Sequence, residues 1–523
     1  MIRHTRRQVL RYGGALAGAA ALSTTGRIAN AATGGGRLEP APVLQIGDVE
    51  AERAIVWGRS SGPARMHLEV ALDSDFAGAR RITGPGHLLA SDFTGRVDVT
   101  GLLPNREIFV RVRFEDLATG NVTGPPLEAR FRTAPAGSRA IRFLWGGDTA
   151  GQGWGINPDF GGMRIYDSMR RTRPDFFIHC GDTVYADGPI AAEQPAEDGK
   201  TWHNLVTPEV ARVAQSLDDF RGRYRYNLLD TNLRRFSAEV PQVWLWDDHE
   251  VVNNWSPGKL LGDDDRYQEK SVPLLVARGA RAFREYAPLR PWSAEEAERI
   301  YRRVGYGDLL DVFAIDMRSY RAANSWNRQP QPGSDTALLG RRQLDWLKQG
   351  LERSRALWKV IAADMPVGLE VADGTDAEGR KRFEALANGD GPVLGREFEM
   401  AELLSFLKSH SIRNTVWLTA DVHYCAAHRY DPRQAVFEDF EPFWEFVAGP
   451  LNAGSFGPAA LDDTFGPEVV FHRPPPAQNL SPLAGYQFFG QVDIDGQSGA
   501  MTVTLKDIDG QAVHVQEIEP AAA

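Results

Sequence analysis

Four apolar runs in this chain each end in acidic or histidine side chains. The ends fall at Asp148, at Asp182, at the Asp-Asp-His-Glu segment 247–250 and at the Asp-Val-His segment 421–423. Short strands that deliver such side chains at their carboxyl ends are how an open α/β sheet builds an active site. Carboxylate oxygens prefer hard cations. The pattern therefore predicts a metal-dependent hydrolase.

The second run is followed by a Gly-Asp-x-x-Tyr sequence, in which Asp182 and Tyr185 are three residues apart. A carboxylate at this place can bridge two cations, and a tyrosinate is a hard anionic ligand suited to Fe(III). The same sequence is also a common turn, and Asp148 taken alone is equally explained as a helix N-cap or turn aspartate. Both interpretations stay open for these residues taken singly.

The segments 247–250 and 421–423 give stronger signals. Several ionisable groups at the end of an apolar strand are costly to bury unless a cation or a hydrogen-bond network pairs them, although a charged loop is the simpler alternative. Asp421 and His423 alternate along an extended segment, so their side chains share one face and can converge on one centre. Asp364 follows another apolar run and is a weaker candidate ligand, with a loop aspartate as the alternative.

Size and composition narrow the class of protein. A chain of 523 residues with 42% apolar residues favours two domains with large packed cores. The net charge of −10 argues against a nucleic-acid binder, because no basic stripe offsets it. The two cysteines, Cys180 and Cys425, could form one disulfide, but two buried free thiols are the simpler interpretation.

Residues 1–31 are typical of a twin-arginine export signal. Arg6-Arg7 precedes a weakly apolar run rich in glycine and alanine, and Ala29-Asn30-Ala31 matches a small-x-small cleavage site. An ordinary basic N-terminus is the alternative. No other segment reaches the roughly 20 apolar residues that a transmembrane helix needs. We therefore expect the twin-arginine export machinery as a partner, no transmembrane anchor, and a soluble protein in the periplasm or outside the cell.

The remaining pattern predicts a small β-sandwich followed by a layered α/β domain. Short strands with frequent turn signals fill residues 40–134, and 135–138 are typical of a linker. Strands then alternate with amphipathic helices over residues 139–515, and two sequences near the end predict a β-hairpin. Two loop-like insertions, 186–204 and 370–392, are expected to cover the site.

The combined motifs resemble one known family. The order Asp, Gly-Asp-x-x-Tyr, Asp-His-Glu, Asp-x-His is similar to that of calcineurin-like metallophosphoesterases. The segments 224–227, 246–254, 311–321 and 421–423 resemble more closely the alkaline phosphatase D (PhoD-like) family, and the resemblance covers nearly the whole chain. It implies an α/β (α+β) fold, with an N-terminal fibronectin type III-like sandwich and an αββα metallophosphoesterase domain with mixed sheets.

The resemblance also implies roles at matching positions. Asp182 would bridge two metals, and Asp148, Tyr185 and His423 would complete the first site. The second site would take Asp248, Asp421 and Asp364. His249 would stabilise the transition state or protonate the leaving oxygen, so His249 and Asp248 are the expected catalytic residues. The expected substrate-binding residues are Asn253, Arg318 and Arg321.

Fe(III) and calcium are the metals associated with this family, and Mn(II) or Zn(II) remain possible. Some members carry a cysteine where this chain has Asp148, and the aspartate makes the first site harder and more like that of purple acid phosphatases. Five aspartates and a Tyr185 phenolate would exceed the charge of one Fe(III) and one divalent ion. We hypothesise that a third cation, or Arg318 and Arg321, neutralises the substrate end. Surface or interdomain pairing is the alternative for the arginines.

The predicted activity is hydrolysis of phosphomonoesters, phosphodiesters or both, by attack of a metal-activated hydroxide. One alternative is a phospholipase D-like diesterase that acts on lipid head groups. An alternative from another class is a non-catalytic binding protein of the cell envelope, in which the α/β domain has lost its activity. The intact acidic and histidine motifs argue against this last possibility.

Overall fold

The computed structural model describes residues 38–262, 264–293 and 295–521. The predicted twin-arginine signal lies outside the described residues. These described residues form one compact unit. Within the described part of the chain, no helix is both long enough and apolar enough to cross a membrane.

The N-terminal region consists of seven strands. They are β1 (Val43–Gly47), β2 (Arg53–Arg59), β3 (Ala64–Ala71), β4 (Arg80–His87), β5 (Thr94–Thr100), β6 (Glu107–Asp116) and β7 (Val122–Arg132). Strands β1, β2 and β5 pair in one sheet, and the order β4-β3-β6-β7 forms a second. Alternate residues of β6, such as Val110 and Val112, face the core that these sheets enclose, as a strand period of two requires. The predicted sandwich is confirmed.

The α/β region begins with elements that surround three short parallel strands. They are β8 (Ile141–Gly146), α1 (Arg164–Arg171), β9 (Phe176–His179), β10 (Glu193–Pro195), β11 (Thr201–His203), α2 (Leu217–Asn227), α3 (Thr231–Glu239), β12 (Gln242–Trp244) and α4 (Val272–Tyr286). β8 pairs in parallel with β9, and β9 with β12. β10 and β11 form a small hairpin inside the first predicted insertion.

The second half of the α/β region forms another mixed sheet and adds the last three strands to the first sheet. Its elements are β13 (Arg302–Tyr306), β14 (Leu310–Ala314), α5 (Gly340–Arg353), β15 (Trp358–Ala362), β16 (Leu369–Glu370), β17 (Ala372–Thr375), β18 (Lys381–Phe383), α6 (Glu397–Ser409), β19 (Thr415–Thr419), β20 (Cys425–Tyr430), β21 (Phe443–Val447), β22 (Ala460–Leu461), β23 (Pro467–Arg473), β24 (Phe488–Ile494), β25 (Met501–Asp507) and β26 (Ala512–Ile518). The predicted hairpin near the end is confirmed, since β24 and β25 are antiparallel neighbours.

Two large sheets stack face to face between helices. The first has the order β26-β25-β24-β8-β9-β12-β1-β2-β5, and the second β13-β14-β15-β19-β21-β20-β23. Their inner faces share one apolar core, to which Phe143 and Ile178 contribute from the first sheet and Val360 from the second. Leu144, one residue from Phe143, lies on the outer face against α1–α4. α5 and α6 cover the other sheet. The predicted αββα architecture is confirmed.

The sandwich is continuous with the first large sheet of the α/β region. β1 pairs in parallel with β12, with Gly47 opposite Gln242, so one sheet runs through both regions. Residues 135–138, predicted as a linker, form an irregular connection between β7 and β8. Cys180 and Cys425 are both buried and free, which confirms the simpler interpretation of the two thiols.

Candidate metal centre

The acidic side chains singled out in the sequence come from the ends of parallel strands in both sheets. Asp148, Asp182 and Asp248 follow β8, β9 and β12 of the first sheet, whereas Asp421 and His423 follow β19 of the second. Because the two sheets stack, the carboxyl ends of these strands lie at one edge of the molecule. The residues converge there into overlapping groups.

The first group contains Asp148, Asp182 and His423, whose candidate ligand atoms all lie within 4.8 Å of one another. The Nδ1 atom of His423 is hydrogen-bonded to the carbonyl oxygen of Gly454, so Nδ1 carries the proton and donates. Nε2 is then the free acceptor, and it lies 2.8 Å from the Tyr185 hydroxyl and 3.8 Å from Asp148 Oδ1. A backbone carbonyl that fixes the tautomer in this way is the usual support of a metal-binding histidine.

Tyr185 lies against this group and is buried. Its ring occupies space that only a glycine at position 151 leaves open, because a Cβ there would lie 2.1 Å from the ring. Burial, reinforced by the charge of Asp182, raises the pKa of the Tyr185 phenol well above its ordinary value. A phenolate at this position therefore requires a cation beside it.

Asp182 and Asp248 recur in the other groups. Asp182, Asp248 and His249 form one, and Asp247, Asp248 and Asp421 form another, with ligand atoms again within 4.8 Å. Asp182 thus lies between the His423 side and the Asp248 side of the centre, the position that a bridging carboxylate needs. The sequence reasoning had left Asp247 outside the ligand set.

Several buried carboxylate oxygens of the centre have no hydrogen-bond partner among the described residues. They are both side-chain oxygens of Asp148, Oδ2 of Asp247 and Oδ1 of Asp248. Burial is the main cause that raises the pKa values of Asp148, Asp182 and Asp421 well above their ordinary values. Convergent, unpaired and buried carboxylates are unfavourable unless cations neutralise them. The donor set therefore fits hard cations.

Four residues of the centre have backbone angles in the left-handed region. The φ angles are +64° at Asp148, +52° at Asp182, +66° at Asp421 and +60° at His423. Such a conformation costs on the order of 1–3 kcal/mol for each non-glycine residue and occurs mainly at functional sites. It turns each side chain sharply off its strand toward the common centre. Aspartate and histidine are several-fold enriched among the non-glycine residues with such angles.

Glu250 holds two of the strand-end loops together. It is fully buried, and its Oε1 accepts from the backbone N–H groups of Thr183 and Val184 at 2.6 and 3.3 Å. Its Oε2 accepts from those of Asp182 and Asp247 at 3.1 and 2.7 Å. The glutamate of the Asp-Asp-His-Glu segment is thus a scaffold for the ligand loops.

His249 is oriented by a residue that the sequence reasoning did not select. Its Nδ1 lies 2.7 Å from Asp187 Oδ1, and its Nε2 faces Asp248 Oδ1 at 3.9 Å. Burial lowers the pKa of His249, but the carboxylates of Asp187, Asp248 and Asp182 together outweigh it and raise the pKa well above the ordinary value. The geometry supports a charged imidazole at the edge of the centre. Asp187 lies only two residues after Tyr185, but this spacing carries no signal of its own.

Arg318 and Arg321 lie behind the carboxylates and are almost inaccessible to solvent, with 0% and 2% of their surface exposed. Arg318 Nε donates to Asp247 Oδ1 at 2.6 Å and to Asp364 Oδ2 at 3.1 Å, and Nη1 contacts Glu384. Arg321 Nη1 donates to the same Glu384 at 2.9 Å. Both guanidinium groups therefore neutralise buried carboxylates, a role that differs from the predicted contact with substrate. Glu384 lies in the second predicted insertion.

Asp364 and Asn253, two other predicted site residues, have a less direct relation to the converging ligand atoms. Asp364 lies beside Asp247 and Arg318 but does not belong to any group of converging ligand atoms found among the described residues. Its Oδ1 is buried and, like Oδ2 of Asp247, has no hydrogen-bond partner among the described residues. Asn253 is exposed, and its backbone N–H donates at 2.9 Å to Oδ2 of Asp187, the carboxylate that contacts His249.

Comparison with known proteins places this arrangement in a family. Residues 143–505 match the family model of the PhoD-like phosphatase, and residues 40–135 match that of its N-terminal domain. Alkaline phosphatase D of Bacillus subtilis is 29% identical over 440 residues, which covers 80% of this chain and 68% of that protein.

Two solved structures show the same fold. A structure of PhoD superimposes with a TM-score of 0.66 at 20% identity, and covers 91% of this chain and 90% of its own. Purple acid phosphatase PPD1 from yellow lupin (Lupinus luteus) seeds gives a TM-score of 0.55 at 13% identity, with 92% and 74% covered. These findings confirm the family expected from the motifs. This chain is therefore a phosphoric ester hydrolase that belongs to the PhoD-like phosphatase family.

Proposed function

We propose that this chain is an exported phosphatase that hydrolyses phosphomonoesters, phosphodiesters or both at the metal centre. The observation that carries the proposal is the convergence of Asp148, Asp182, Asp248 and His423 from two different sheets, with His249 beside them. Acidic groups that are left unpaired and buried at such a place serve cations and substrate rather than folding.

The two sides of the centre offer different ligands. Tyr185, His423 and Asp148 suit Fe(III) on one side, whereas the carboxylates of Asp247, Asp248 and Asp421 suit calcium on the other, with Mn(II) or Zn(II) as alternatives. When bound, such cations acidify a water molecule and stabilise the charge that develops on a phosphoryl group.

The protein groups supply orientation and a proton. In this proposal His249, which Asp187 orients and whose pKa the surrounding carboxylates raise, donates from Nε2 to a phosphate oxygen or to the leaving oxygen. The exposed Asn253 is a candidate donor to the substrate. We assign to Arg318 and Arg321 the neutralisation of buried carboxylates, those of Asp247, Asp364 and Glu384. Their positive charges offset part of the excess negative charge of the centre without a third cation.

Hydrolysis of p-nitrophenyl phosphate and bis-p-nitrophenyl phosphate, before and after chelation, tests the activity. We expect turnover of at least one ester, loss on chelation, and loss in Asp248→Asn. The phospholipase D-like alternative requires release of a head group from phosphatidylcholine vesicles at a higher kcat/KM than that for either nitrophenyl ester. A metal-loaded protein that cleaves none of the three would instead favour the cell-envelope binding protein.

Export by the twin-arginine route rests on Arg6-Arg7 and the cleavage pattern at 29–31. A variant with both arginines replaced by lysine is expected to stay inside the cell as the uncleaved precursor. Release of the shortened protein by this variant would contradict the proposed route to the periplasm or medium.

A further inference from the structure

A second carboxylate cluster lies outside the catalytic centre. Candidate ligand oxygens of Asp390, Asp462 and Asp463 lie within 4.8 Å of one another. Asp462 is 1% exposed, whereas Asp390 and Asp463 are at the surface. Among the described residues, none of these three carboxylates forms an ion pair with a lysine, arginine or histidine. The negative charge of the cluster is therefore not compensated by side chains.

A buried glutamate beside Asp462 provides an independent observation. Glu397 begins α6 and has 0% of its surface exposed. Its Oε2 accepts from the backbone N–H of Leu394 at 3.0 Å, but its Oε1 has no hydrogen-bond partner. The Glu397 carboxyl group lies against that of Asp462, close enough for a hydrogen bond if one of the two were protonated. Two buried carboxylates in contact need either a shared proton or a cation between them.

Neighbouring groups do not neutralise the charge of the cluster, although the backbone N–H groups of Gly389 and Thr464 donate to Asp462 Oδ2 and Oδ1, each at 2.9 Å. Asn388 donates its backbone N–H to Asp462 Oδ2 at 2.9 Å, while its own buried Oδ1 has no partner. Arg328 donates to the carbonyl oxygens of Gly389 and Asp390, at 3.0 and 2.8 Å, rather than to a carboxylate. Burial and the charge of Asp462 raise the pKa of Glu397 to about 9, so a proton is the competing explanation.

We propose that Asp390, Asp462, Asp463 and Glu397 bind a divalent cation of the calcium type, separate from the catalytic cations. The available side-chain ligands are all oxygen atoms and most are carboxylates, the set that Ca²⁺ prefers. The ion would join the segment after β18 to the segment after β22. Glu384, the partner of Arg318, lies four residues before Asn388, so the same ion would fix the segment that supports the catalytic carboxylates.

Calcium binding by the chelated full-length enzyme tests this proposal, with Asp390→Asn/Asp463→Asn as the variant. Asparagine keeps the oxygen acceptors that Gly391 and Asp463 use through their backbone N–H groups, so the loops should still fold. We expect equilibrium dialysis to show one calcium ion fewer per chain in the variant, or binding at least tenfold weaker at that site. Asp495→Asn, in a turn elsewhere, is the matched control and should bind as the wild type does.

A second experiment locates the bound ion in the structure. Crystals of the metal-loaded enzyme soaked in terbium should show an anomalous peak beside Asp462 and Asp463, and Asp248→Asn crystals should keep it. The proposal is overturned if wild type and double variant bind the same number of calcium ions, or if the soaked crystals show no peak there. Unchanged calcium stoichiometry in Glu397→Gln would likewise overturn it, because Glu397 would then carry a proton.

Discussion

The Nδ1 atom of His249 lies 2.7 Å from Asp187 Oδ1, and this contact fixes which ring nitrogen faces the metal centre. The second oxygen of Asp187 accepts from the backbone N–H of Asn253 at 2.9 Å, so the carboxylate itself is held in place. The opposite ring nitrogen then points toward Asp248. Asp187 therefore orients the histidine and also contributes, with Asp248 and Asp182, to the negative charge that favours its protonated form.

Asp187→Asn is expected to lower kcat by about 100-fold, because general acid catalysis contributes about 10²–10⁴-fold and depends on orientation. The substitution also removes a negative charge that raises the pKa of His249, so this pKa falls. If charged His249 is the acid, activity is lost as pH rises through its pKa, and the alkaline limb of the kcat/KM profile should move to lower pH. Steady-state rates across the pH range check both effects.

The control is the double variant Asp187→Asn/His249→Gln. If Asp187 acts through His249, the double variant should be no slower than His249→Gln alone. Additive losses, or an unmoved alkaline limb in Asp187→Asn, would contradict the positioning role.

Glu250→Gln should destabilise the fold without removing a ligand. The amide nitrogen would replace one oxygen, and two of the four backbone N–H groups that now donate to Glu250 would lose their acceptor. We expect the free energy of unfolding to fall by about 3–6 kcal/mol, because each of the two lost hydrogen bonds to a charged group costs about 1.5–3 kcal/mol. Urea denaturation measures this, with Glu468→Gln on the exposed edge of β23 as the control. Equal stability of the two variants would refute the scaffold role.

The Arg318→Met variant distinguishes two roles of this arginine, neutralisation of the buried carboxylates and contact with the substrate. Because Arg318 is buried among Asp247, Asp364 and Glu384, its loss should lower the free energy of unfolding by about 3–5 kcal/mol. The inhibition constant of inorganic phosphate should change little for the protein that folds. A contact with substrate predicts instead an inhibition constant at least about tenfold higher, as loss of a charge-assisted hydrogen bond implies.

Tyr185→Phe tests the iron assignment. With Fe(III) bound to a Tyr185 phenolate, the purified enzyme should show a visible charge-transfer band that disappears in the variant and after chelation. His423 should remain in place, because its Nδ1 is held by Gly454 rather than by the tyrosine. A colourless wild-type enzyme with full activity would remove Fe(III) bound to Tyr185 from the proposal.

The local pattern of the sequence was sufficient to predict the layers of the fold and most residues of the metal centre. Strand and helix periodicities are local properties, so they predicted the apolar strands that precede the acidic residues and the amphipathic helices, among them α5 with its buried Leu344, Leu347 and Leu351. The same patterns placed Asp182, Asp248 and His423 at strand ends. This is why the family and the class of reaction could be predicted before any geometry was known.

Tertiary structure decided the partners of these residues. The stacking of two sheets brings Asp148 and His423 together from distant parts of the chain, and the fold places Asp187 on His249 and Glu384 on Arg318. These contacts depend on loop paths and on left-handed backbone angles that only the packed chain imposes, so residue spacing could not reveal them. The sequence by itself determined which strand ends carry acidic side chains. The fold decided which of them meet, and it assigned the arginines to neutralise carboxylates.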